Sequence, residues 1–237
     1  MNSYRWASVA AVTYVALFVA AHLLTTKGPC GTACFARTTD ERVVAFYEDS
    51  GNRWRVGIAY LLFAIALAAF LWFLARLHAA IAEIDGPGTL ARLVILGGGV
   101  YAALQAAGTA VYAAVATGPG LVTDEEHYRV DAAVVRAAGD VSWMLRSLGS
   151  VAAAVLAVAA ALAVRRAGRR GLGALGVVLA ALTFFFALQE GTLDRGVAIT
   201  IGIQDVPFLL WVVVLAAIEL RIPASPAAGE KLNQRSS

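Results

Sequence analysis

"AVAAALAVRRAGRRGLGALGVVLA", residues 157–180, places four arginines, Arg165, Arg166, Arg169 and Arg170, between two runs of alanine, valine, leucine and glycine. A bilayer core about 30 Å thick takes roughly 20 consecutive apolar residues as helix. Basic residues in short loops stay on the cytoplasmic side, because they do not cross during insertion. The stretch therefore predicts a helical hairpin whose turn faces the cytoplasm, and the rest of the chain can be oriented from it.

The composition agrees. Of 237 residues, 60% are hydrophobic and only 15% charged, with a mean hydropathy of +0.73. Soluble domains carry about 25% charged residues, so this is the balance of an integral membrane protein. The net charge of +3 carries no nucleic-acid message, because the arginines fall between apolar runs and orient helices rather than coat a face.

Six apolar segments are predicted as spans: Trp6 to Leu24, Val56 to Leu74, Leu93 to Val115, Val141 to Val164, Gly171 to Gln189 and Val206 to Leu220. The last is short and is expected to begin nearer Ile201. None alternates as a barrel strand does, and a helix satisfies its own backbone in lipid. The expected fold is all-α, a polytopic bundle of six transmembrane helices over residues 1–222 with a disordered cytoplasmic tail at 223–237. Fixing the arginine turn inside puts both termini in the cytoplasm. Arg5, Arg76, Arg92, Arg221 and Lys231 fit that map; the loop at 25–55, with five basic residues, dissents but is longer and also carries four acidic ones. The first apolar core exceeds a signal peptide's and lacks a small-residue cleavage site, so it is expected to be retained.

Both outer loops open with a Thr-x-x-Glu box, Thr38 with Glu41 and Thr123 with Glu126. Apolar residues follow at helical spacing, which predicts two short extracytoplasmic amphipathic helices. Registering the two loops also suggests a repeat of helix pairs, 1–80 and 90–165. Gly99, Ala103 and Ala107, and Gly176 with Ala180, recur every fourth position and predict close helix contacts. Trp6, Trp54, Trp72 and Trp211 are expected at span ends or on lipid-facing surfaces.

"FLWFLARLHAAIAEIDGPGTLARLVILGGGVYAALQAAG" and "GDVSWMLRSLGSVAAAVLAVAAALAVRRAGRRGLGALGVVLAAL" together resemble a group of actinobacterial six-helix membrane proteins near the DUF4386 group. The resemblance covers the second to fifth spans. It implies a six-helix fold in the cell membrane, and it implies no activity.

Cys30 and Cys34 fall in the first outer loop, an oxidising side, where a structural disulfide is the leading expectation and free thiols or a redox pair remain open. No histidine adjoins them, so no metal site is expected. Ionisable groups within spans are costly and mark candidate sites. At 1.5 Å per residue, His22, Arg146 and Glu190 rise about 26 to 28 Å from the inner ends of their helices. Asp205 rises about 24 Å and Gln105 about 20 Å. These five, with Trp143, Tyr112 and Gln189 at the wall, form a candidate ligand- or ion-binding cavity open to the outer side. The competing reading is structural pairing, such as Arg146 with Glu190, or snorkelling to the headgroups.

No phosphate-binding glycine loop, H-E-x-x-H pair or G-x-S-x-G elbow occurs, and no catalytic residue, metal or cofactor is expected. The leading functional expectation is a non-enzymatic accessory or assembly protein, or one that binds a lipid or small ligand between helices. Its expected partners are the bilayer and either another membrane protein or a bound lipid, with no nucleic acid. A small-solute or ion transporter using Arg146, Glu190 and Asp205 is the alternative, and a membrane-embedded enzyme is the third.

Overall fold

A computed structural model describes residues 3–26, 39–85, 88–117, 131–192 and 205–219. These form seven helices and no strand: α1 (Ser3–Thr26), α2 (Asp40–Glu48), α3 (Ser50–Asp85), α4 (Thr89–Thr117), α5 (Ala132–Arg166), α6 (Arg170–Thr192) and α7 (Asp205–Glu219). Five of them, all but α2 and α7, are long and apolar enough to cross a membrane. Their outer surfaces carry exposed Leu61, Trp72, Leu96, Met144 and Leu148, side chains that water would penalise and lipid would not. This is the surface of a helical membrane protein.

Helix α1 packs on α3, α3 on α4, α4 on α5, α5 on α6, α6 on α7 and α7 back on α1. The six helices thus close a ring around one core. Tyr14, Phe18, Phe63, Phe70, Tyr101 and Phe208 meet edge-on or tilted at its centre, with ring centroids between 5.0 and 6.1 Å apart. Phe18 also stacks on His22 at 4.8 Å. Tyr14 and Tyr101 bond hydroxyl to hydroxyl, so each buried phenol has a polar partner. Ser8 ties α1 to α7 by donating to the Ala216 carbonyl at 3.0 Å.

The arginine turn is tight for a definable reason. Gly168 has φ +85 and follows the cap residue Ala167. Its N–H donates to the Arg165 carbonyl at 3.1 Å, and the Arg169 N–H to Val164 at 3.2 Å. That pair of bonds is the Schellman closure, in which a glycine adopts the left-handed conformation that side chains disfavour. Gly168→Ala is therefore expected to lower stability by about 1 kcal/mol, seen as a reduced unfolding midpoint in detergent. Ala167→Ser, beside it, should leave that midpoint unchanged.

Several sequence expectations are corrected. The 132–140 segment, read as a separate amphipathic helix, is the first part of α5, which runs unbroken for 35 residues. Its cap is Asp131, whose carboxylate accepts from the Ala133 N–H at 2.7 Å and more weakly from Val134; the Thr123 box lies outside the described residues. Helix α2 begins at Asp40 with Thr39, not Thr38, at the cap position. The Glu41 carboxyl is held below its ordinary range by its own N–H and the Thr39 hydroxyl. The row Gly99, Ala103 and Ala107 faces outward, and a Cβ at Gly99 would meet nothing within 4 Å. The close contact with α5 is made instead by Gly97 and Gly108, where a Cβ would lie 2.9 Å from the Ala152 carbonyl oxygen and 2.8 Å from that of Ser142. Trp211 is fully buried, stacked into the space that Gly176 leaves, whereas Trp6, Trp54 and Trp72 are exposed.

Helix α2 lies across the starts of α3 and α5: Val43 and Tyr47 pack with Val56, Ala132 and Val135. Arg136 donates to Asp40 at 2.8 and 3.1 Å across this contact. Because the Asp40 side chain is 71% exposed, Asp40→Ala is expected to cost no more than about 1 kcal/mol, by the same midpoint measurement. A larger loss would mean that α2 is held by charge rather than by Val43 and Tyr47.

Candidate functional site

Helical spacing brings polar residues of separate segments to one place. On α1, Tyr14, Phe18 and His22 stand four apart and share a face. On α4, Tyr101, Gln105 and Gly108 share a face at spacings of four and three, and on α5 Ser142, Arg146 and Ser150 do so at spacings of four. Asp205 opens α7. The four faces converge on Arg146.

The Arg146 Nε donates to Gln105 Oε1 at 3.1 Å, and its Nη2 bonds His22 Nε2 at 2.9 Å. The guanidinium is always a donor, so Nε2 accepts and the imidazole is neutral. The His22 ring also bonds the backbone of Phe18. Asp205 Oδ2 lies 3.7 Å from Arg146 Nη2, close enough to compensate its charge but too far for a hydrogen bond. Ser150 Oγ lies 3.3 Å from Asp205 Oδ1 and 3.2 Å from the Arg146 carbonyl, so its single proton serves both. The guanidinium carbon sits 5.9 Å over the Phe63 ring, a further attraction in a poorly solvated setting. Gly108 permits all this, since a Cβ there would lie 2.9 Å from the Arg146 Cγ.

Above this network is a cavity of about 120 Å³. Helix α1 supplies Ala21, His22 and Thr25; α3 supplies Val56, Ala59, Tyr60 and Phe63. Helix α4 adds Thr109, Tyr112 and Ala113, and α5 adds Gly139, Ser142, Trp143 and Arg146. Val56 and Tyr112 also pack in the cluster under α2, so that helix covers one end. Tyr60, 42% exposed, is the only lining residue in the exposed class and marks the rim. The chemistry offered is a wall of aromatic and small aliphatic residues, a few hydroxyls, one imidazole and one cation.

Of the residues singled out from sequence, His22, Gln105 and Asp205 each lie against the Arg146 guanidinium, and His22, Tyr112, Trp143 and Arg146 line the cavity. Gln105 and Asp205 are fully buried beneath the lining instead of on it. The carboxylate recorded beside Arg146 is Asp205, on α7; the side chain of Glu190, and Cys30 and Cys34, lie outside the described residues. Sequence reasoning missed Ser150, Thr25, Thr109 and Ser142, although Ser142 and Ser150 stand four residues either side of Arg146 and could have been found by that spacing. It also missed the buried Tyr14–Tyr101 pair. Among the described residues no group of three or more His, Cys, Asp or Glu side chains could hold a metal.

Comparison with protein-family models, curated proteins and solved structures returns no match, so the resemblance to actinobacterial six-helix proteins stands on the residues quoted for it alone.

Proposed function

We propose that the chain is a six-span protein of the cell membrane with both termini cytoplasmic, and that it binds a small apolar ligand or part of a lipid in the cavity above Arg146. The observation that carries this reading is the placement of one charge-compensated guanidinium, with a few hydroxyls and one imidazole, on the wall of a mainly apolar cavity. Binding sites for small molecules have this make-up: apolar walls with a few fixed polar groups that orient the guest. Helix α7 is the sixth span in this reading. Its 15 residues cover about 22 Å, and a start at Ile201 would bring it to about 28 Å, near the hydrocarbon thickness. Its place in the ring between α6 and α1 supports the assignment. Orientation rests on the α5–α6 turn, where Arg165, Arg166 and Arg170 are exposed. The α2 cover, at the other end of α5, is then extracytoplasmic.

Binding is favoured over catalysis or ion passage by the state of Asp205. The carboxylate is 1% exposed, off the cavity wall, and engaged by Ser150 and Arg146. A general base must reach its substrate. Asp205 reaches none here.

The test is a thermal-shift screen of small apolar compounds on the purified protein, beside Ala113→Trp, which fills the cavity. A ligand that binds only the folded state raises the unfolding midpoint by mass action. At least one compound is expected to do so for the native chain and not for the filled variant. No stabilising compound, or equal shifts in both proteins, overturns the reading. Labelling of Ala167→Cys by a membrane-impermeant thiol reagent in intact cells would overturn the orientation.

A further inference from the structure

We propose that the cavity selects an uncharged molecule carrying a carbonyl or hydroxyl acceptor on a ring-sized apolar body, and that Asp205 sets this preference from beneath the cavity wall. This rests on the ligand-binding reading above and deepens it.

Among the described residues Arg146 is the only charged one on the cavity wall, and its countercharge is already present in Asp205, 3.7 Å away. The neighbouring His22 accepts from Arg146 and is neutral. An anionic guest would therefore leave a net negative charge in a site walled by Phe63, Tyr60, Tyr112 and Trp143, where water cannot repay the loss of hydration. A neutral acceptor incurs no such cost.

Donor geometry points the same way. Nε and Nη2 of Arg146 are engaged by Gln105 and His22, while Nη1 has no hydrogen bond among the described residues. A guanidinium donates and never accepts, so the group that completes it must be an acceptor. Thr109 and Ser142 add hydroxyls around the same space, which can donate to a second oxygen of the guest or accept from its hydroxyl, while Thr25, which donates to the His22 carbonyl at 2.8 Å, can accept only. The volume limits the rest: an apolar cavity of about 150 Å³ accommodates benzene, and this one is about 120 Å³ with an open rim at Tyr60. One ring, or a comparable stretch of chain, fits; a larger body must extend past the rim toward lipid.

Asp205 acts through Arg146 and is a positioning residue. Replacing it by asparagine keeps the shape and the acceptor for Ser150 but removes the countercharge. The site would then hold an uncompensated cation, and an organic anion should become the better guest.

Benzamide and benzoate differ in little but charge, and equilibrium dialysis of each against the full-length protein in nanodiscs tests the proposal. The native protein is expected to bind benzamide at least tenfold more tightly than benzoate, and Asp205→Asn to prefer benzoate by at least tenfold. Equal affinity for the two, or a preference for benzoate, in the native protein overturns the inference while leaving the binding site standing. Retention of the native preference by a folded Asp205→Asn chain overturns the role of Asp205. Binding of neither probe by the native protein overturns the ligand-binding reading itself, and this inference with it. The native comparison needs no substitution, so it decides even where the variant fails to fold.

Discussion

Arg146→Ala is expected to destabilise the folded protein by about 3–5 kcal/mol, the usual penalty for stripping one partner from a buried ion pair. The loss comes less from the missing contacts than from what stays behind. Asp205, 1% exposed, would be left without a countercharge and with only Ser150 as a partner, and Gln105 Oε1 and His22 Nε2 would each lose a donor. Asp205→Asn should cost less, because Arg146 is 19% exposed and retains two partners. Combining Arg146→Ala with Asp205→Asn removes the buried charge altogether and should recover part of the loss. Unfolding midpoints of the four proteins in one detergent give the coupling directly. A loss under about 1 kcal/mol for Arg146→Ala, or a double variant as unstable as the sum of its parts, would show that the pair is not linked as described.

The second large effect is steric. Gly97→Val and Gly108→Leu should each cost about 3 kcal/mol or more, because the added carbons meet backbone that cannot step aside. At Gly97 the first of them would lie 2.9 Å from the Ala152 carbonyl and 3.0 Å from the Leu156 nitrogen. At Gly108 it would meet the Ser142 carbonyl and the stem of Arg146, so this variant should also loosen the guanidinium network. Gly99→Val, two residues from Gly97 on the same helix, should change stability by less than about 0.5 kcal/mol, since nothing stands within 4 Å. Equal losses at Gly97 and Gly99 would mean that α4 is rotated about its axis.

Those glycines show what the sequence could and could not tell. That α4 exists, and that small residues let it approach a neighbour, was legible from composition and period. Which side approaches was not, because small residues occur on both: "LGGGVYAALQAAG" offers Gly97, Gly98 and Gly108 on one side and Gly99, Ala103 and Ala107 on another. Only the position of α5 chooses between them. Trp211 fails the same way: an indole in an apolar helix reads as lipid-facing until Gly176 on α6 is seen to leave room for it.

The candidate site was more legible than the packing. Charged and strongly polar groups within apolar helices are few, so His22, Gln105, Arg146 and Asp205 stood out, and their similar heights implied that they could meet. Height says nothing about angle around the helix axis. That is why Glu190 was the pair partner named for Arg146 on paper while the carboxylate recorded beside it is Asp205, and why the division between residues on the cavity wall and those beneath it had to come from the fold. Ser150 escaped notice because a serine in an alanine-rich helix carries no charge to flag it, although its spacing from Arg146 places it on the same face.

The central claim is that the space above Arg146 is a ligand site. Native mass spectrometry of the gently extracted full-length protein tests it most directly, beside Arg146→Ala and Ala113→Trp. The account predicts an additional bound mass on the native chain that both variants lack. A native chain of bare mass, or the same addition on all three proteins, would contradict it.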